Sequence, residues 1–457
     1  MEKSNKNDEI ILRDKFLDEI NHETYDYIIF GTGLTQCMVA YELSKKNKTV
    51  MVIDKNSTYG TDFSTLTYEE LVKCNLFDFH EKLQDDIFIS QKSNEFNIDL
   101  TPKLLLMESE LKEVFIADQI DQIIGFSPIK GSFLYNNRLH SIPKNEKQAL
   151  SSGAVSGIVQ KTKVARFFYN LRNVDKEGYK YKKTMKEEFE MFGLDKNSID
   201  FIGHAVALHL TDEYLMEDPK KTYDHILRFI QSVVSYNNSE SPFIYPQYGL
   251  SDICQAYVRK ASCYGAVFML NGKCIKIDLN NKKVDVLDPN NHMIKINAGD
   301  IIIDSHYLEF AVNDQNKDIG NKLKNTNFKE QKQIIRCVLI CKRNLKHEGA
   351  RNITFLHSNF QRKSDVFGIV LNFESMACPK EYEICILSTV REQNDIKKEM
   401  EVFIKKFDVI EYFIGTRNIH ENLYENVIFV KNVDESVLMD NIYEDVKNVI
   451  KKCNEEK

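Results

Sequence analysis

Two glycines and one acid set out the chemistry at the start of the chain. Gly31 and Gly33 flank Thr32 directly after the apolar run Tyr25 to Phe30. Asp54 closes a second apolar run, 23 positions after Gly31. Glycines in such a turn let a pyrophosphate lie against backbone N–H groups at a helix N-terminus, and an acid at the end of the next strand meets a ribose hydroxyl. The third glycine of that fingerprint is replaced by Gln36, where close helix–strand packing wants Gly or Ala. Beyond the second strand, Tyr59-Gly60-Thr61 stands where flavin enzymes commonly carry paired glycines. The spacing predicts a dinucleotide-binding fold with a vestigial turn (Gly31, Gly33, Asp54) and no bound cofactor.

Other polar groups recur at defined spacing. Asp252, Gln255 and Arg259 stand at i, i+3 and i+7, so a helix puts them on one stripe. Asp252 and Arg259 are two turns apart, ~10 Å along the axis; they do not pair with each other and are free to meet a partner's charges. Ile253, Tyr257 and Tyr264 turn the other way, into the core. His204 and His209, at i and i+5, lack the spacing of a zinc pair, so no metal is expected. Arg362-Lys363-Ser364-Asp365 reads as a polar corner before a strand, either a turn held by salt bridges, the favoured reading, or part of a surface that touches a partner's C-terminal tail. No Ser/His/Asp or Cys/His pairing emerges, and no catalytic residue is predicted.

Hydrophobic spacing supplies the elements that position these residues. Tyr25–Phe30, Leu34–Lys45 and Thr49–Ile53 read as strand, helix and strand. Helices are expected over Thr67–Phe79 and near Leu104–Phe115. From Ser141 to Tyr236 the pattern is helical throughout. Val155, Ile158/Val159, Ala165 and Phe168/Tyr169 form one stripe, and Ile199, Ile202, Val206 and Leu210 a second. Tyr223, Ile226/Leu227, Ile230 and Val233/Val234 form a third. Thr184 with Glu187 is a capping box, Gly193 a helix stop, and Asp218-Pro219 a helix start. After Pro246 the first pattern resumes, with four strand-like runs: CIKIDL, VDVL, HMIKI and DIIIDS. Strands at Ile334–Ile340, Val366–Phe373, Glu383–Thr389 and Val427–Val430 then alternate with helices at Glu392–Phe407 and Ser436–Lys452. The fold class is α/β: an FAD/NAD(P)-binding-like, flavin-monooxygenase-like discontinuous domain I (24–140 and 237–457). An all-helical domain II (141–236) is inserted in it, and a flexible N-terminal extension (1–23) precedes it.

The chain has 457 residues, net charge −7, and hydrophobic and charged shares of 42% and 28%, ordinary for a soluble globular protein. The acidic balance, with no Lys/Arg stripe interleaved with aromatics, excludes a nucleic-acid binder. No apolar run approaches the ~18 residues of a membrane span. The N-terminal stretch lacks the apolar core of a signal peptide, so a cytoplasmic protein is expected. The ten cysteines include no CxxC. Cys337 and Cys341, on one strand, would lie ~13 Å apart, too far to bridge, which points to reduced buried thiols.

Four stretches resemble one family: YDYIIFGTGLTQC, DFIGHAVALHLTDEYL, SPFIYPQYGLSDICQAYVRKASCYGAVFML and NFQRKSDVFGIVLNF. The chain is similar from Tyr25 to Lys452 to the Rab GDP dissociation inhibitors and the related Rab escort proteins. The GTGLT turn separates this family from working flavin oxidoreductases. The resemblance implies a non-enzymatic, monomeric cytoplasmic protein that binds GDP-bound, geranylgeranylated Rab GTPases. Such a protein slows GDP release, lifts the Rab from membranes in transient contact, and carries it through the cytosol. It implies a Rab-binding platform of Tyr59, Asp252, Gln255, Arg259 and Met269, and a mobile loop around Asn237, Ser241 and Tyr245. Three positions depart from the family pattern: Asp252 where Glu is usual, Val267 where Thr is usual, and Asn237 where Arg is usual. They bear on affinity or Rab choice. The alternatives are an escort protein serving a geranylgeranyltransferase and, further off, an amine-oxidase-like flavoenzyme.

A prenyl chain sets a physical requirement on such a protein. At about 0.8 kcal/mol per buried CH₂, a geranylgeranyl group held in a membrane is worth on the order of 10 kcal/mol. Polar contacts alone do not compensate for extracting it. An apolar groove is therefore expected in the helical domain, with Leu150, Val155, Ile158 and Phe168 as its candidate lining.

Overall fold

The protein is seen here in a computed structural model that describes residues 24–142, 153, 155, 157–174, 179–235, 241–304, 307, 332–419, 427–431 and 434–455. The expected opening unit is present: β1 (Thr24–Phe30), α1 (Leu34–Lys45) and β2 (Val50–Ile53). β1 and β2 pair in parallel from Tyr27↔Val50 to Phe30↔Ile53. Along β1, Tyr27 and Ile29 enter one buried cluster while Ile28 and Phe30 enter another. A strand covered on both faces reads as a continuous apolar run, as this one does. Two short strands, β3 (Thr65–Leu66) and β4 (Ile98–Asp99), pair antiparallel nearby.

The middle of the chain folds as α2 (Ile158–Val174), α3 (Met185–Phe192) and α4 (Pro219–Ser235), with short helical turns at 196–206 and 212–216. Local chemistry sets their ends. The Thr184 side chain accepts the Glu187 N–H, Gly193 ends α3 with φ 64°, and Asp218 accepts the Lys220 N–H at 2.8 Å. The first predicted stripe is out of register. Val164, Phe167, Leu171 and Val174 are buried, while Ile158, Val159 and Tyr169 are 82%, 64% and 66% exposed. Phe167 decides the register: it packs against Phe189, Phe192 and Tyr223, with ring centroids 5.4 to 5.8 Å apart. Burial of one such aromatic is worth about 1.5–3 kcal/mol.

The chain then returns through β5 (Phe243–Pro246), α5 (Ser251–Cys263), β6 (Val267–Met269), β7 (Lys273–Asp278), β8 (Lys283–Leu287) and β9 (Met293–Ile303). The first sheet runs β6-β2-β1-β9-β8-β7, with Ile428–Phe429 also paired to β9. HMIKI and DIIIDS are thus one strand: its first half pairs antiparallel with β8, its second half in parallel with β1.

An eight-stranded sheet lies beside the first. Its order is Phe79–Lys82, Val409–Asn418, Gln333–Lys342, Tyr382–Val390, Val366–Leu371, Arg351–Phe355, Gly131–Asn136 and Arg138–Ser141. Sequence spacing missed Val409–Asn418 because Glu411 interrupts its apolar run. That carboxylate is 2% exposed and held by the Tyr68 hydroxyl at 2.9 Å and by His80. The helix expected over Thr67–Phe79 stops at Lys73, since Phe79–Lys82 pairs with Val409–Asn418. The one expected near Leu104–Phe115 starts only at Glu110, after Leu105–Leu106 has paired with β5 and Ser109 has capped it. All ten cysteines are free. No helix among the described residues is long and apolar enough to cross a membrane.

Candidate recognition surface and the filled nucleotide cradle

At the glycine turn, Gly31 has φ 90°, a conformation that only glycine adopts without strain. Asp54, where an acid would meet a ribose, is fully buried and already engaged. It accepts the Thr32 N–H at 2.9 Å, the Thr32 hydroxyl at 2.5 Å, the Thr61 hydroxyl at 2.9 Å and the Asn56 N–H at 2.9 Å. Gln36 folds back over the turn and donates to Asp304 Oδ2 at 3.0 Å. A Cβ on Gly33 would stand 2.7 Å from Gln36 Oε1, so the Gln36 amide occupies the space before the helix N-terminus. Gln36 lines the near end of a cleft of about 870 Å³, whose walls mix Lys221, Lys431 and Lys452 with Asp62 and Asp445. These residues do not fit a dinucleotide: the phosphate mouth holds an amide, and the ribose acid is spent on the protein's own donors.

The other predicted stripe lies on α5. This helix buries Ile253, Cys254, Ala256, Tyr257, Val258 and Ala261. Tyr257 donates to Asp118 at 3.0 Å and packs on Tyr41, ring centroids 5.7 Å apart. The opposite side presents Gln255 and Arg259, both exposed, and Asp252, half-buried, whose carboxyl burial pushes up. Gln255 Nε2 reaches Asp252 Oδ1 at 3.5 Å. Tyr264 is 52% exposed rather than in the core, because the helix ends at Cys263 and the stripe ends with it. Beside α5, the half-buried Tyr59 sets its ring edge-on to Phe268, centroids 6.4 Å apart. The neighbouring Met269, on edge strand β6 with Val267, accepts the Asp54 N–H at its carbonyl, 2.8 Å away. Tyr59 and Met269 therefore flank the end of β2, and α5 leads into the same edge strand.

A family model described as GDP dissociation inhibitor matches residues 20–457. The chain belongs to that family. It is 28% identical over 446 residues to a probable secretory pathway GDP dissociation inhibitor of Schizosaccharomyces pombe, covering 94% of this chain and 96% of that protein. It is 26% identical over 448 residues to the Rab GDP-dissociation inhibitor of Saccharomyces cerevisiae, covering 93% and 94%. Among solved structures, a Rab GDI from Plasmodium falciparum superposes with TM-score 0.77 at 24% identity, over 94% of this chain and 98% of that one. An oxidoreductase from Methanosarcina mazei superposes with TM-score 0.57 at 12% identity, over 94% and 100%. The flavoprotein-like fold is thus shared with both a regulator and an enzyme.

Within this family member, two further placements depart from expectation. Ser241 and Tyr245 do not form a mobile loop. Ser241 is 2% exposed with its hydroxyl 2.9 Å from that of Ser132, and Tyr245 is 1% exposed in β5 and donates to Asp99. Asn237 and Leu150 lie outside the described residues. Val155 is buried, Phe168 is half-buried with its ring edge-on to Phe167, and Ile158 points to solvent.

His204 is joined to residues that spacing could not connect with it. Its Nδ1 lies 2.8 Å from Asp365 Oδ2, and its Nε2 lies 3.0 Å from Asp212 Oδ1. His357 completes the ring, with Nδ1 2.7 Å from Asp365 Oδ1 and Nε2 3.4 Å from Asp212 Oδ2. Burial opposes charge on His204, but Asp365 and Asp212 outweigh it and raise its pKa to about 10. Hydrogen bonds to Asp212 and Asp365 raise His357 to about 9. The result is a neutral ring of two imidazolium ions and two carboxylates. It ties the turns at 201–216 to the corner that ends at Asp365. In that corner Arg362 is buried and paired with Glu399, so the stretch is a salt-bridged turn as expected. Two groups of possible metal donors lie here within 4.8 Å of one another, His204 with His357 and Asp365, and His204 with Asp200 and Asp212.

Proposed function

We propose that this chain is a Rab GDP dissociation inhibitor: it binds GDP-bound, geranylgeranylated Rab GTPases, slows GDP release, extracts them from membranes and returns them through the cytosol. The observation that carries this reading is the Asp252–Gln255–Arg259 stripe on the outer side of α5, with Gln255 and Arg259 exposed, together with Tyr59 and Met269, on a fold whose cofactor cradle is filled by Gln36. The family membership supports it, as do relatives named for Rab and for GDP dissociation inhibition. We assign the platform to those five residues, with Asp252 and Arg259 meeting charges on the Rab. The protein acts as a monomer by binding rather than turnover. It needs no flavin and no nucleic acid, and touches membranes only transiently.

In this reading, domain I (24–140 and 237–457) grips the GTPase and domain II (141–236) shelters the lipid. Leu150, Val155, Ile158 and Phe168 are the candidate lining of the groove; of these, Val155 is buried, Phe168 half-buried and Ile158 exposed. The test is extraction of prenylated Rab from liposomes by the purified chain. Release of GDP-loaded and not GTP-loaded Rab is the expected result. Failure to extract either form, or presentation of unprenylated Rab to a geranylgeranyltransferase instead, would overturn the assignment.

A further inference from the structure

α5 starts without a cap of its own. The residue before it is Leu250, whose side chain offers no acceptor, yet the first N–H groups of a helix need partners. They come from far along the chain. Asp99 Oδ1 accepts the Leu250 N–H at 2.9 Å, and Thr65 Oγ1 accepts the Ser251 N–H at 3.1 Å. The Thr65 hydroxyl donates in turn to Asp99 Oδ1 at 2.6 Å, and the Tyr245 hydroxyl donates to Asp99 Oδ2. Asp99 is fully buried. Gly249, with φ 105°, lets the backbone close onto this group: a Cβ there would lie 2.4 Å from Thr65 Oγ1 and 2.8 Å from Asp99 Oδ1. The same paired strands hold the segment that carries Tyr59. Leu100 N–H donates to the Ser64 carbonyl at 3.1 Å, and the Ser64 hydroxyl donates to the Tyr59 carbonyl at 3.3 Å.

We propose that Asp99 is a positioning residue of the recognition surface: by pinning the first turn of α5 to β3 and β4, it sets Asp252, Gln255 and Arg259 relative to Tyr59, and affinity for the GTPase depends on its carboxylate although it touches no partner. The inference rests on the Rab-binding reading above. Among the described residues, the titratable side chains facing Asp99 are Tyr245 from β5 and Asp252 from α5. Burial raises the Asp99 carboxyl to about 6, against the hydrogen bonds from Thr65, Tyr245 and Leu250 that favour the ion; Asp252 adds to the rise. Asp99 is therefore ionised at neutral pH and takes up a proton near pH 6, which weakens it as an acceptor for the Leu250 N–H.

The experiment measures the affinity of the full chain for GDP-loaded, prenylated Rab from about pH 7.5 down to about pH 5, a window centred on the carboxyl. Wild type is compared with Asp99→Asn and Asp99→Ala. Asp99→Ala is expected to bind at least about tenfold more weakly at neutral pH, about 1.4 kcal/mol. The wild-type to Asp99→Asn affinity ratio is expected to fall as pH drops through about 6. Asp252 and the groups on the Rab titrate in both proteins, so the ratio isolates Asp99. A ratio that stays constant across this range overturns the inference, as does Asp99→Ala binding within about twofold of wild type. Where Asp99→Ala does not fold, the ratio decides alone. Wild type that binds no Rab at any pH overturns the binding reading and this inference with it.

Discussion

Replacing Asp365 with Asn tests whether the four-membered ring fastens the turns at 201–216 to the second sheet. Asp365 is fully buried and faces both His204 and His357, at 2.8 and 2.7 Å. Asparagine keeps the shape but removes the buried charge, leaving two imidazolium ions with Asp212, which is 42% exposed, and the nearby Asp200. Removing one partner from a buried ion pair costs about 3–5 kcal/mol. Denaturant unfolding followed by circular dichroism suits a chain without tryptophan. The sign of the pH dependence is fixed by the histidines. Their folded values, about 10 and about 9, lie above the ordinary value of 6.5. Their contribution is therefore complete below pH 6.5 and is lost as pH rises through 9 to 10. The gap between wild type and Asp365→Asn should be widest near pH 6.5 and shrink above pH 10. A gap under about 1 kcal/mol at neutral pH, the size of an ordinary neutral hydrogen bond, would refute the reasoning. So would a gap that does not narrow at high pH.

Further outcomes follow from the same geometry. Arg259→Ala should weaken Rab binding by about 1–2 kcal/mol while leaving thermal stability within about 0.5 kcal/mol, because the side chain is exposed; equal binding would remove Arg259 from the platform. Gln36→Ala should cost about 1–2 kcal/mol by depriving buried Asp304 of a donor. It should stay colourless after incubation with FAD, since Asp54 remains engaged; an absorbance band near about 450 nm, typical of a flavin cofactor, would show that Gln36 alone closes the cradle and that Asp54 is still available to a ribose. Gly249→Ala forces a Cβ against Thr65 and Asp99 at φ 105°. It should destabilise by at least about 2 kcal/mol, and an unchanged melting temperature would argue against the socket.

Some of the candidate site was legible in residue types because its determinants are local. The Asp252–Gln255–Arg259 stripe needs only helical periodicity, and the structure places it on the outer side of α5. Helical periodicity carried one residue further turns Tyr264 into the core, but the helix ends at Cys263 and leaves it exposed. Ile158 was misassigned because α2 offers two overlapping apolar stripes, and only the fit of Phe167 against Phe189 and Tyr223 chooses between them. The mobile loop at Ser241 and Tyr245 is implied by the resemblance and not by local pattern, whereas pairing of β5 with its neighbours buries Tyr245, and Ser241 is buried beside it. His357 has a local partner in Asp365, but its other two, Asp212 and His204, come from another part of the chain.

The amino-acid sequence alone determined the opening βαβ unit, the run of capped helices in the middle and the damage to the nucleotide fingerprint. Each is written in spacings of two to four residues or in single turn residues such as Gly31, Thr184 and Gly193. Only the tertiary structure decided whether the surviving acid was available. Asp54 meets Thr32 across 22 positions of sequence, Gln36 meets Asp304 across 268, and Asp99 meets Leu250 across 151. A buried carboxylate is satisfied by whichever donors the fold brings to it, and no local pattern names donors that far away.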